Sequence, residues 1–177
     1  MWVDEVLKFW FKELQPVAWF TKDAAVDAQI RTRFEPLHEQ LSQGEIQVPN
    51  TPRGHLAAVI VLDQFPRNMF RGSAKAFASD TKALEFASRA LDAGFEREMT
   101  KDQRQFLYLP FMHSEELAMQ MRCVELYAAF DDPELMKYAA EHRDIIERFG
   151  RFPHRNAALG RESTAAEIEF MQNHRGF

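Results

Sequence analysis

A polar phrase occurs twice in this chain, and its residue types suit anion binding and proton transfer. The first copy is Phe65-Pro66-Arg67-Asn68, followed by Arg71-Gly72; the second is Phe152-Pro153-His154-Arg155-Asn156, followed by Gly160-Arg161. A guanidinium is a planar fork that holds carboxylates and phosphates through two parallel hydrogen bonds. Asn both donates and accepts, and His changes charge near neutral pH. Because Pro and Gly interrupt helices, each copy is expected as a loop at a helix end, and two such loops meeting in space would build one site. Arg67, Arg71, Arg148, Arg151, Arg155 and Arg161 all fall in or beside the two copies. The structural alternative is that they tie down loop carbonyls and pair with Asp63, Glu147 or Glu162.

Two further histidines enter on apolar stripes. His113 lies four residues before Leu117, and His142 shares a face with Tyr138, Ile145, Ile146 and Phe149. Either would serve as a general acid or base, with Glu115 or the motif arginines beside it. The alternative is a neutral core histidine bonded to a carbonyl. The candidate ligand-binding set is therefore Arg67, Asn68, Arg71, His113, Glu115, His142, Arg151, His154, Arg155 and Asn156. His113, Glu115, His142 and His154 lack the spacing of a metal-ligand motif, so no metal is expected. No cofactor is expected either, since neither a dinucleotide fingerprint nor a Walker loop is present. There is no Gly-x-Ser-x-Gly elbow, and the lone Cys123 among apolar neighbours reads as an inert core thiol.

Helices must position these groups. Val3, Val6, Leu7, Trp10, Phe11 and Leu14 form a stripe that Pro16 ends, and a second helix runs from about Asp23 to Phe34, with Pro36 expected to end or kink it. Thr51-Pro52 opens a helix whose run from Leu56 to Leu62 is apolar all round, as a central buried helix requires; a buried β-strand is the rival reading, disfavoured because every neighbouring segment has helical period. Asp80 is expected to cap the next helix, which stops at Gly94. Thr100 and Gln103 have capping-box spacing, and Pro110 punctuates the helix that follows. Leu117 to Ala128 continues the helical pattern, Asp132-Pro133 opens a helix ending at Gly150, and Thr164 with Glu167 caps the last one. That makes roughly eight helices and an all-α fold, in one domain spanning 1–177.

The composition agrees. The chain has 177 residues, 46% of them hydrophobic, enough to bury a core. Its net charge of -5 argues against non-specific nucleic-acid binding, although 15 Arg outnumber 7 Lys. The first residues, Met1-Trp2-Val3-Asp4-Glu5, carry no basic n-region, and neither a signal peptide nor a membrane span is expected. One cysteine suits a cytoplasmic location.

Three segments carry a resemblance. They are Leu62 to Gly72, Tyr108 to Glu115, and Arg148 to Asn156 with Leu159-Gly160-Arg161 and Ser163-Thr164. The chain resembles, over nearly its whole length, the bacterial domain of unknown function 924. That resemblance implies stacked antiparallel helix pairs like a tetratricopeptide-repeat superhelix, and it carries over no catalytic residues. The expectation is a binding module that recognises a small anionic ligand or an acidic peptide group through the Arg/His-rich loops. The alternative is an enzyme acting on a small anionic substrate with a His general acid or base.

Overall fold

The computed structural model describes residues 1–174 and residue 176. Every regular element among the described residues is helical, and no strand occurs. Ten α-helical segments follow one another: α1 (Trp2–Lys8), α2 (Ala24–Gln43), α3 (Pro52–Val59), α4 (Phe65–Met69), α5 (Asp80–Asp92), α6 (Lys101–His113), α7 (Leu117–Ala128), α8 (Pro133–Phe149), α9 (Asn156–Leu159) and α10 (Ala165–Asn173). Eight of them are the expected helices. The other two, α4 and α9, are short and lie inside the motif segments.

The chain divides into two compact units. The first comprises Met1–Arg71 and Lys75–Pro110, the second Gly72–Ala74 and Phe111–Phe177, so the division falls within α6. The first unit is built round the apolar run that begins in α3 and continues into the turn after it, where Leu56 to Leu62 are all 0–1% exposed. Aromatic rings pack beside it: Phe9, Phe34 and Phe65 form a triangle with Phe34 and Phe65 centroids 4.7 Å apart, and Trp10 meets Phe106 edge-on at 5.4 Å. In the second unit α7 and α8 pack on each other, and Ile145, Ile146 and Phe152 form a core cluster.

Most caps follow the sequence signals. The Asp23, Thr51 and Asp132 side chains each accept first-turn N–H groups. Thr164 and Glu167 close a full capping box, and Thr100 and Gln103 exchange the reciprocal bonds of another. Gly44 and Gly150 end α2 and α8 at φ +77° and +69°, a backbone region that side-chain-bearing residues avoid.

The prolines depart from expectation. Helix α2 does not stop before Pro36 but runs for 20 residues to Gln43. Its buried stripe Val26, Ile30, Phe34 and Leu41 continues past the proline, and burial along one face outweighs one lost hydrogen bond. Thr32, whose carbonyl Pro36 cannot bond, is exposed. Pro110 likewise lies inside α6, which continues to His113.

The first motif is also not a loop. Ile60–Gln64 is a π-helical turn leading directly into α4, with Pro66 in its first turn. Pro66 has no N–H for the carbonyl of Leu62, four residues earlier; the Ser79 hydroxyl donates to that carbonyl at 2.6 Å. Asp80 is not the cap of α5: Ser79 precedes the helix, and the Asp80 carboxylate is taken by Arg67. The second motif contains a 3-10 turn, Pro153–Arg155, running into α9.

Candidate functional site

The first motif clasps α4 to two neighbours. Arg67 makes a bidentate pair with Asp80 at 2.7 and 2.9 Å and also donates to the Asp63 carbonyl at 2.7 Å. The Asp63 carboxylate, wholly buried, lies 3.4 Å from the same guanidinium. Burial disfavours the charged Arg67, but Asp63 and Asp80 more than compensate and raise its pKa. Asn68 donates to Asp27 at 2.7 Å, and Arg71 grips the same carboxylate at 2.8 and 2.9 Å. Arg31 donates to the Met69 carbonyl. The predicted residues Arg67, Asn68 and Arg71 thus hold α4 against α2 and against the start of α5. Of the acids they hold, Asp27 lies 41 and 44 residues from Asn68 and Arg71 and carries no local motif, whereas Asp80 stands 13 residues from Arg67.

The second motif is organised round one buried ring. Phe152 is 0% exposed. His142 meets it edge-on at 5.6 Å, His154 lies 5.6 Å away, and the Arg155 guanidinium covers it at 4.6 Å. The Phe152 N–H donates to Glu115 at 2.8 Å, and its carbonyl accepts from Arg161 at 3.1 Å. Arg161 also binds Glu115 bidentately at 2.7 and 3.0 Å, and Arg155 donates to the His113 carbonyl at 3.0 Å. Burial alone would raise the Glu115 pKa, but the bonds from Arg161 and Phe152 and the charges of Arg161 and Arg155 hold it low.

Beside this ring lies an acidic knot. Arg151 binds Glu167 at 2.7 and 2.9 Å, and Asn156 reaches the same carboxylate at 3.3 Å. The Arg151 bond is the main cause that pulls Glu167 down to about 2. All seven second-motif candidates, His113, Glu115, His142, Arg151, His154, Arg155 and Asn156, therefore belong to one network in the second unit. Arg161, noticed only as one arginine of a cluster, is one of its centres.

The histidines differ from one another. His142 is buried and donates from Nδ1 to the Tyr138 carbonyl at 2.8 Å. Burial drives its pKa down to about 3, aided by the positive surroundings of His113, His154 and Arg155, so it is neutral at pH 7. His113 does not share a helix with Leu117. It ends α6, and the Gln120 amide, reaching back from α7, donates to the Met112 and Ser114 carbonyls at 2.7 and 2.6 Å. Cys123 is fully buried, which pushes its thiol up to about 12 and makes it inert. No group of three His, Cys, Asp or Glu residues able to hold a metal occurs among the described residues.

Sequence reasoning missed a cleft in the first unit. It has a volume of about 300 Å³. Glu35, His38, Glu39 and Ser42 of α2 line one wall; Phe70, Lys75, Ser79 and Lys82 line the other. His38 Nε2 is 3.1 Å from Ser79 Oγ and 3.3 Å from Ser42 Oγ, and its ring leans on Phe70 at 5.7 Å. Lys82 donates to the Ser42 carbonyl across the cleft at 2.9 Å. Burial lowers the pKa of His38, countered in part by Glu35 and Glu39. The signal was present as residues 35, 38, 39 and 42 on one helical face, but it vanishes when α2 is ended at Pro36. The first-motif clasp frames this cleft, because Arg67 fixes the start of α5 and Asn68 with Arg71 fixes α4 on α2.

Comparison with known proteins follows the same outline. The family model described as bacterial protein of unknown function (DUF924) matches residues 6–175. No curated protein matches. A solved structure of a protein of unknown function from Agrobacterium tumefaciens is similar, with 40% identity, 97% of each chain covered and a TM-score of 0.92.

Proposed function

We propose, from the premise that this chain belongs to the DUF924 family of bacterial proteins of unknown function, that it is a small-molecule-binding domain whose ligand enters the cleft between α2 and the start of α5. The observation that carries this reading is the charge pattern of that cleft. Glu35 and Glu39 stand on one wall, Lys75 and Lys82 on the other, and His38 and Ser79 lie between. A small amphoteric molecule, with a carboxylate or phosphate at one end and an ammonium group at the other, is complementary to it. The anionic end meets Lys82, which spends one of its three donors on Ser42.

This relocates the anion subsite expected at the motif arginines. Arg67, Arg71, Arg151 and Arg161 already grip Asp80, Asp27, Glu167 and Glu115, and an incoming anion would have to displace those partners. The stacked-pair, tetratricopeptide-like architecture is part of the same reading. It draws support from α7 and α8, which pack on each other across a link of only residues 129–132. No helix among the described residues is long and apolar enough to cross a membrane. A cytoplasmic place fits a chain whose one cysteine is a buried free thiol.

Isothermal titration with free amino acids, short dipeptides and their singly charged analogues tests the reading. The expected result is saturable binding of an amphoteric compound, weakened about tenfold in Lys82→Met and in Glu39→Gln, with analogues lacking either charge bound more weakly. Equal binding by wild type and both variants would sink it.

A further inference from the structure

The cleft holds more than opposite charges. Ser79 Oγ lies within hydrogen-bond reach of His38 Nε2, at 3.1 Å, and immediately precedes the 13-residue helix α5. Ser79-Asp80-Thr81-Lys82 also has the spacing in which a serine at a helix start meets a lysine one turn later, and Ser79 and Lys82 line the same cleft. A serine needs three things to become a nucleophile: a base on its hydroxyl, a field that favours a developing oxyanion, and room for an acyl group. The base is His38, the field comes from the positive end of α5 and from Lys82, and the room is the cleft of about 300 Å³.

We infer that Ser79 is a catalytic nucleophile with His38 as its general base, and that the cleft hydrolyses small carboxylic esters bearing a charged group. This rests on the cleft being a ligand site, as proposed above. In the resting arrangement the Ser79 hydroxyl donates to the Leu62 carbonyl, so Oγ accepts from His38 Nε2–H. Turning the hydroxyl hydrogen towards His38 moves no heavy atom and uses the other imidazole tautomer, whose Nε2 carries a lone pair. The Leu62 carbonyl, left by Pro66 without its helical N–H, positions Oγ in the resting arrangement and gives up that bond when the hydrogen turns. In the first half-reaction Ser79 Oγ bonds to the ester carbon, and its proton passes to His38 Nε2. The carbon–oxygen bond to the leaving group breaks, and that oxygen takes the proton and departs as an alcohol. In the second half, water attacks the acyl carbon and gives its proton to His38. The acyl bond to Oγ breaks, the proton returns to Ser79, and a carboxylic acid leaves.

The test is covalent labelling of the intact protein with diisopropyl fluorophosphate, followed by peptide mass spectrometry. The expected product is a single diisopropylphosphoryl adduct on the peptide 76–82, formed with release of fluoride, at Ser79. Labelling should disappear in urea and slow by about a hundredfold or more in His38→Gln, the range a general base supplies. Ser79→Ala can lose stability with its Leu62 bond, so the wild-type adduct and the His38→Gln rate carry the decision. An unlabelled wild type, an adduct elsewhere, equal labelling of the unfolded chain, or an unchanged rate in His38→Gln overturns the inference. Ligand titration separates the two readings. Binding without an adduct leaves a ligand site and removes the nucleophile, whereas absence of both removes the cleft as a site.

Discussion

The two copies of the motif perform different jobs with the same parts. In each, the phenylalanine is fully buried: Phe65 joins the aromatic core of the first unit, and Phe152 is the hub of the second. In each, an asparagine amide shares a carboxylate with an arginine, Asn68 and Arg71 on Asp27, Asn156 and Arg151 on Glu167. The surroundings differ. The first copy reaches outwards to clasp three helices and frames a cleft, whereas the second folds inwards round its own ring. Asn156 is 1% exposed, while Arg71 keeps a side chain 40% exposed. A repeated phrase therefore marks a repeated way of anchoring a chain segment, and the chemistry sits beside the anchor.

Mutations should separate the two copies by size of effect. Phe152→Ala is expected to cost about 4 kcal/mol, because it empties a fully buried site and strips the partners of His142, His154 and Arg155; a denaturant midpoint close to wild type would remove Phe152 from the centre of the second copy. The second copy should also impose acid sensitivity through His142. Its folded pKa lies near 3, below the ordinary value of 6.5, so below pH 6.5 the unfolded chain binds a proton that the folded chain refuses. Stability should be flat with respect to this group above pH 6.5 and fall by about 1.4 kcal/mol per unit from there towards pH 3. A wild type whose stability between pH 6.5 and 5 tracks that of His142→Phe would contradict this. Glu167 works in the same direction at lower pH, its contribution lost as pH falls from 4.5 to about 2.

In the first copy the costs are smaller. Arg67→Ala should lose about 2–3 kcal/mol, since the buried Asp63 loses the guanidinium beside it. It should also loosen the start of α5, seen as faster amide exchange from residues 80–84. Asn68→Ala should cost about 1 kcal/mol and Asn156→Ala about twice that, following burial; equal costs would erase the distinction between the copies.

What was legible in the sequence divides along physical lines. Caps are local chemistry, so Thr51, Asp132 and the Thr100–Gln103 and Thr164–Glu167 boxes appeared at their proper places. Prolines misled, because the loss of one hydrogen bond at Pro36 or Pro110 is outweighed by packing along a whole helix face, which spacing near the proline does not reveal. Many second-motif residues were found as a group because partners such as His142, Ser163 and Glu167 lie within about twenty residues along the chain, while His113 and Glu115 stand 42 and 46 from Arg155 and Arg161. Of the first motif's partners, Asp63 was named from the sequence, but Asp27 and the cleft pair were not. Asp27 stands 44 residues from Arg71, and His38 stands 41 from Ser79. Pairings over such separations belong to the fold.

The π-helical turn Ile60–Gln64 has one more effect, best described as a matter of phase. Each residue of an α-helix turns the chain by about 100°, and a wide turn inserts one residue more than the α-helical repeat needs. Everything downstream is thereby set round by roughly that angle. Removing Ile60 or Val61 would restore a uniform helix and swing Arg67 and Asn68 away from Asp80 and Asp27. The frame of the cleft would come apart although every residue that builds it was still present.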